Sequence, residues 1–260
     1  MNYYIDQEFT EYFRKPFFGK PYHTIELISI GIVNEYGDEY YAISKDVDPV
    51  FCNDWVQENV LKKIIEDFVN DLRIIDADSH NYILEKLDNK TIEQQFKIVQ
   101  KYHGTHTNQI AKEILHFINP DLDFHANSYD KSEIADPSTE IHKYFKKHSI
   151  KEINGRYCAQ PTFYGYFSDY DWVLFCSLFG TMMDLPSGFP MYCRDLKQMY
   201  DELESKMEVN LKLYKNYPKL ISEHNALADA KFNKDLHEFL IKIQEPKTKL
   251  NYEQLASNRN

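Results

Sequence analysis

Apolar and polar positions along the chain change their period several times. Residues 2–9, NYYIDQEF, alternate like a half-buried strand. TIELISIGIV (24–33) is a second run rich in Ile and Val, NEYGDE (34–39) carries the turn formers Asn34, Gly37 and Asp38, and EYYAIS (39–44) is a third run. Residues 24–44 therefore predict a hairpin. The period then lengthens. Over 53–70, Trp55, Val56, Val60, Leu61, Ile64, Ile65 and Phe68 recur at helical spacing, with Asn53 or Asp54 suited to cap the helix.

The stretch 71–155 is less periodic. Short helical patterns lie near 91–102 and 107–118, and polar breaks fall at NPDLD (119–123) and DPS (136–138). These features predict helices and loops inserted into one domain. Order returns with a strand at QPTFYGYF (160–167), a buried helix at DWVLFCSLFG (171–180) and a short strand at FPMYC (189–193). An amphipathic helix follows at 194–207, then a last helix at 222–243 with Leu227, Ala230, Leu236, Phe239 and Leu240 as core contacts. Antiparallel strands followed by strands alternating with helices predict an α/β fold with helices on both faces of the sheet. One domain is expected over 1–245, followed by a polar tail at 246–260.

Composition narrows the picture modestly. The 260 residues carry a net charge of −11, with 20 Tyr and 17 Phe against 8 Gly. An acidic balance argues against a broad basic nucleic-acid groove but not against an enzyme that recruits divalent cations. The acidic, aromatic N-terminus does not read as a signal peptide, and no apolar run approaches the ~18 residues of a membrane span. Four scattered cysteines without a CxxC pair fit reduced thiols, and a cytoplasmic setting is expected.

The polar positions inside the first strand are Asp6 and Glu8. Strand side chains alternate faces, so these two carboxylates share a face about 7 Å apart and repel unless a proton or cation lies between them. Two other segments supply acids. One is Asp169 or Asp171 at a strand-to-helix junction, where either could instead be a simple helix cap. The other is HNALADA (224–230), with His224 before Asp229 and with Ala226, Ala228 and Ala230 small enough for a close helix approach. Carboxylates from separated segments together with one imidazole suit phosphodiester hydrolysis assisted by two divalent ions. Hard Mg²⁺ or Mn²⁺ prefers such oxygen ligands, and a histidine can take the proton of an attacking water.

YIDQEF (4–9), YDWV (170–173) and HNALADA (224–230), in that order, resemble the exonuclease motifs of the DEDDh (DnaQ-like) group in the ribonuclease H-like superfamily. TIELISIG (24–31), CNDWVQENVL (52–61), DYDWVLFCSLFG (169–180), DLP (184–186) and FPMYCRDL (189–196) more closely resemble small bacterial and phage 3′-5′ exoribonucleases. These are best known from mycobacteria and are related to ribonuclease T and oligoribonuclease. The resemblance covers roughly 1–62 and 158–240. It implies a ribonuclease H-like mixed sheet of about five strands, the first three antiparallel. It further implies Asp6, Glu8, Asp171 and Asp229 as ligands of two Mg²⁺ or Mn²⁺ ions and His224 as general base. It favours Asp171 over Asp169, because the motif places an aromatic residue before the acid and apolar residues after it. The implied activity is 3′-5′ release of nucleoside 5′-monophosphates from single-stranded RNA, or alternatively DNA, by a homodimer. An idle fold that only binds nucleic acid is the other reading.

Gln7 stands where such families often carry a small residue, and its backbone is a candidate substrate contact. Trp172 is a candidate for stacking on a base, against a core role. Glu26 is a candidate either to support the metal ligands from behind or to pair with Arg194. His103 and His106 have HxxH spacing but no supporting zinc ligands.

Overall fold

The computed structural model describes residues 1–75, 77–118, 131–153 and 156–244. The polar tail expected at 246–260 and the NPDLD break lie outside the described residues. The fold is mixed α/β, built on a six-stranded sheet in the order β4-β3-β2-β1-β7-β8. Strands β1 (Asn2–Arg14), β2 (Tyr22–Asn34) and β3 (Glu39–Ser44) form the antiparallel part. Two-residue strands β4 (Gly104–Thr105) and β8 (Arg194–Asp195) pair parallel to β3 and to β7 (Thr162–Gly165), which is itself parallel to β1. This arrangement is compatible with a ribonuclease H-like fold.

Helices cover both faces. After β3, α1 (Asp54–Val56) runs through a π turn, Gln57–Leu61, into α2 (Lys62–Ile75). Then come α3 (Ala77–Leu87), α4 (Ile92–His103), α5 (Thr107–Ile118), α6 (Lys131–Ala135) and α7 (Glu140–Lys147). A separate hairpin, β5 (Ile150–Ile153) with β6 (Arg156–Ala159), precedes β7. Helices α8 (Asp169–Ser177), α9 (Leu196–Met207) and α10 (Ala226–Gln244) complete the fold.

The alternation of β1 divides the core. Tyr3 and Ile5 point to one side and pack with Ile30, Ile32, Ile110, Ile114, Phe163 and Phe175, beneath α5 and α8. Tyr4 points to the other side and packs with Leu196, Tyr200, Leu236 and Leu240 of α9 and α10. A third cluster, including Ile28, Ile43, Leu61, Ile64, Phe96 and Val99, seats α2 and α4. A strand covered on both faces must bury side chains of both parities, and Tyr3, Tyr4 and Ile5 are all buried.

Several sequence expectations change in detail. The first hairpin is longer than 2–9 and 24–33, because residues 10–14 and 22–23 continue the antiparallel register out to Arg14 opposite Tyr22. The sheet has six strands rather than about five, since β4 and β8 are too short to leave a periodic signal. The strand expected at 160–167 contracts to Thr162–Gly165. Residues 189–193 form no strand: Pro190 lacks the ladder donor and the segment turns. The following helix starts at Leu196 because Asp195 caps it, its Oδ1 accepting the Gln198 N–H at 2.9 Å. The expected insertion at 71–155 is not uniform. Phe96, Val99, Ile110 and Ile114 belong to the two main cores, whereas Phe145, Ile150 and Tyr157 form a small satellite cluster.

Candidate active site

The site begins with the parity of β1. Asp6 and Glu8 share the α10 side of the sheet with Tyr4, while Ile5 and Gln7 face α8. Gly31 lies directly opposite Asp6 in the β1–β2 register. A side chain at Gly31 would meet the Ala226 carbonyl oxygen at 2.2 Å, so the start of α10 rests on bare strand backbone. That contact brings Asp229, one turn further along α10, to Asp6 and Glu8. One carboxylate oxygen from each of Asp6, Glu8 and Asp229 lies within 4.8 Å of the others.

Helix α10 is held in place by polar residues on its buried face. Asn233 Nδ2 donates to the Ile5 carbonyl at 3.0 Å, and His237 Nδ1 shares a 2.8 Å hydrogen bond with the Tyr4 hydroxyl. Asn225 caps the helix, its Oδ1 accepting from Leu227 and Ala228 N–H at 3.1 and 3.0 Å. The Asn225 amide also donates to Asp67 Oδ2 at 2.8 Å, tying the approach to α10 onto α2. Asn225 lies within HNALADA, but Asn233 and His237 belong to no motif. The sequence trace they leave is polar side chains at 225, 229, 233 and 237, spaced as one helix face.

Asp171 enters from the opposite face of the sheet. It is buried in the first turn of α8, whereas Asp169, at the first position of that helix, is exposed. The Gln7 side chain reaches across and donates Nε2 to the Asp171 carbonyl at 2.6 Å. Asp171 Oδ1 is buried without a hydrogen-bond partner.

The electrostatics are those of crowded, partly dehydrated carboxylates. Burial, then the charges of Asp171, Asp229 and Glu8, push the Asp6 carboxyl far above the ordinary range. Burial and the neighbouring Asp229 and Asp171 raise Glu8 to about 8. Asp171 rises to about 7 through burial, although the backbone N–H groups of Gln7 and Asp171 itself oppose the shift. Burial raises Asp229 to about 6 against the N–H groups of His224 and Asn225. Four acids whose charged forms are this costly need protons or cations. The orphaned Asp171 oxygen and the all-oxygen donor set fit a hard divalent ion.

His224 adopts a left-handed backbone turn, φ 62°, immediately before the Asn225 cap. Its ring lies edge-on to Trp55, with centroids 4.9 Å apart and planes at 82°. Trp55 is 56% exposed although its spacing matched the buried helix face. Its indole packs against the His224 ring instead.

Other candidates fall elsewhere. Trp172 is buried and stacks on Phe175 at 5.1 Å, beside Phe163, so it lies in the core and not in an open stacking position. The Gln7 side chain is buried, its Nε2 donating to Asp171 while its Oε1 has no hydrogen-bond partner among the described residues, which leaves the expected backbone contact to substrate untouched. Glu26 pairs with Tyr12, at 2.8 Å, and Arg14, at 3.9 Å, rather than with Arg194. His106 bonds Asp46 at 2.6 Å, and the His103 ring packs against Phe68, so HxxH forms no shared ligand set.

No known family model matches this chain. Over 64 residues, 25% of its length, it is 47% identical to two Mycobacterium tuberculosis proteins, each named 3′-5′ exoribonuclease. That segment is similar to 3′-5′ exoribonucleases. The match spans 33% of the length of each relative. No described helix is long and apolar enough to cross a membrane.

Proposed function

We propose that the protein is a divalent-metal-dependent 3′-5′ exonuclease of the DEDDh type, acting on single-stranded RNA and releasing nucleoside 5′-monophosphates. The observation that carries this reading is the meeting of Asp6, Glu8 and Asp229 within 4.8 Å, with Asp171 acting on the same group. The partial likeness to named 3′-5′ exoribonucleases supports the choice of RNA. In this reading Asp6, Glu8, Asp171 and Asp229 hold two Mg²⁺ or Mn²⁺ ions. When bound, such ions neutralise the scissile phosphate, lower the pKa of water and stabilise the in-line transition state.

The chain's own residues do the rest. Asp6 and Glu8 are fixed by the central strand of the sheet, so their separation is set by the pleat and not by a mobile loop. The Gln7 side chain locks Asp171 to that strand from the far side. His224 takes the proton of the attacking water. The histidine sits in a left-handed turn just before α10, with its ring edge-on to Trp55. The backbone N–H groups of His224 and Asn225 hold the Asp229 carboxylate in place.

The test is a 5′-labelled single-stranded RNA incubated with Mg²⁺ or Mn²⁺, with EDTA as control. The expected result is a metal-dependent ladder shortening from the 3′ end. Internal cuts, or an RNA left intact while matched DNA is degraded, would overturn the reading.

A further inference from the structure

The β1–β2 hairpin runs well beyond the site. Six residues separate Glu8 from Arg14, which is about 20 Å of strand at ~3.3 Å per residue. The connection, KPFFGKP (15–21), turns with Gly19 at φ 108° and lifts two phenylalanines into solvent. Phe17 is 94% exposed and Phe18 85% exposed, their rings edge-on to each other at 4.7 Å. Tyr22 is 49% exposed at the base of the turn. No core contact accounts for this much apolar surface on a loop tip, and exposed apolar patches generally mark interaction sites.

Charge separates the tip from the rest of the molecule. Residues 12–25 contain Arg14, Lys15 and Lys20 and no Asp or Glu, in a chain of net charge −11. Arg14 lies 3.9 Å from Glu26, and among the described residues Lys15 and Lys20 form no ion pair. Exposed aromatic rings interleaved with cations are the chemistry that holds single strands, the rings stacking on bases and the cations meeting phosphates. A second copy of the same arm would bring three more cations against these three, so a polyanion is the better occupant.

We propose that this hairpin tip is a docking arm for single-stranded RNA, with Phe17, Phe18 and Tyr22 stacking on bases and Arg14, Lys15 and Lys20 meeting phosphates. Its placement upstream of a 3′ end rests on the exonuclease reading. Its binding role is measured without turnover. At a stacked spacing of ~3.4 Å per nucleotide, the arm lies about six nucleotides from the carboxylates.

The experiment is fluorescence anisotropy in EDTA with a labelled 15-nucleotide single-stranded RNA and a trinucleotide too short to reach the arm. Phe17→Ala/Phe18→Ala and Lys15→Glu/Lys20→Glu are compared with wild type and with Ile241→Ala, an exposed apolar control on α10. Each double variant should weaken 15-mer binding at least tenfold, and neither should change its melting temperature or trinucleotide binding. The lysine variant should also flatten the dependence of log K on log salt by about 1.4, at ~0.7 per lost phosphate contact. Equal 15-mer affinity in all proteins, or no binding by wild type, overturns the arm even where the labelled-RNA ladder forms. Loss of self-association on sedimentation, with RNA affinity unchanged, also overturns it in favour of an oligomer contact. Variant-dependent binding with no ladder in any metal leaves the arm standing and removes the exonuclease reading.

Discussion

Asp6 is the residue on which stability and chemistry pull in opposite directions. Its carboxyl is crowded by Asp171, Asp229 and Glu8 in a site that is poorly hydrated. Removing that charge should relieve the metal-free fold while ending the chemistry. Asp6→Asn should therefore raise the melting temperature in EDTA, reduce stabilisation by Mn²⁺ and lower the exonuclease rate to near background. An amide variant that melts lower in EDTA and keeps its Mn²⁺ response would contradict the assignment. His224 makes the complementary case. General-base removal typically costs about 10²–10⁴ in rate, so His224→Ala should show such a loss while calorimetric Mn²⁺ binding persists. A variant that lost metal binding instead would make His224 a ligand.

At the scale of elements, the site depends on how closely α10 meets β2. Ala226 and Ala230 are fully buried, and Gly31 leaves no side chain between helix and strand. In an ordinary strand Gly→Ala is favourable by roughly 0.5–1 kcal/mol through backbone entropy. Here the added methyl would sit 2.2 Å from the Ala226 carbonyl oxygen, and backbone atoms cannot rotate away. Overpacking of this kind costs about 1–3 kcal/mol and displaces the helix that carries Asp229. Gly31→Ala should lower chemical-denaturation stability by that amount and reduce activity more than any loss of folded protein explains. A neutral or stabilising effect would mean that α10 does not seat on Gly31. The bonds from Asn233 to Ile5 and from His237 to Tyr4 fix the same helix further along, which makes its start the part that must be tight.

For the whole molecule, the acidic site sets a pH dependence whose sign can be worked out. Folding raises Glu8 from 4.5 to about 8, Asp171 from 3.8 to about 7 and Asp229 from 3.8 to about 6. The folded state then holds more protons than the unfolded chain, so stability falls as pH rises through these values. His237 acts in the opposite direction. Burial lowers it from 6.5 to about 4, so its contribution is lost as pH falls below about 6.5. Burial also lowers the Met1 ammonium from its ordinary 8.0, which favours higher pH, but between about 6.5 and 8 the raised Asp6, Glu8 and Asp171 carboxyls outnumber it. There the metal-free protein should melt at lower temperature with increasing pH, and Mn²⁺ should raise the melting temperature more at pH 8 than at pH 6.5, because protons no longer compete for the carboxylates. A flat profile in EDTA would show that the acids are not packed as described.

Local periodicity carried a large share of the fold. The first three strands, the helix capped by Asn53, the helices at 92–103 and 107–118, and the shared face of Asp6 and Glu8 all follow from alternation and spacing within a few turns of chain. The order of the acidic motifs also pointed to one type of chemistry before any contact was known. Long-range contacts were not written in that pattern. Gln7 bonds a residue 164 positions away, and Asn233 bonds one 228 positions away. Periodicity reports which face of an element is buried, not what covers it. Trp172 went to the core and Trp55 to an exposed position against His224 for that reason, since an aromatic at helical spacing has the same signature in either place. The same limit hid the length of the β1–β2 hairpin. Its outer end, beyond Thr10 and Ile25, is largely exposed, so nothing enforces an apolar alternation there, and it is the register with the neighbouring strand that carries it out to Arg14.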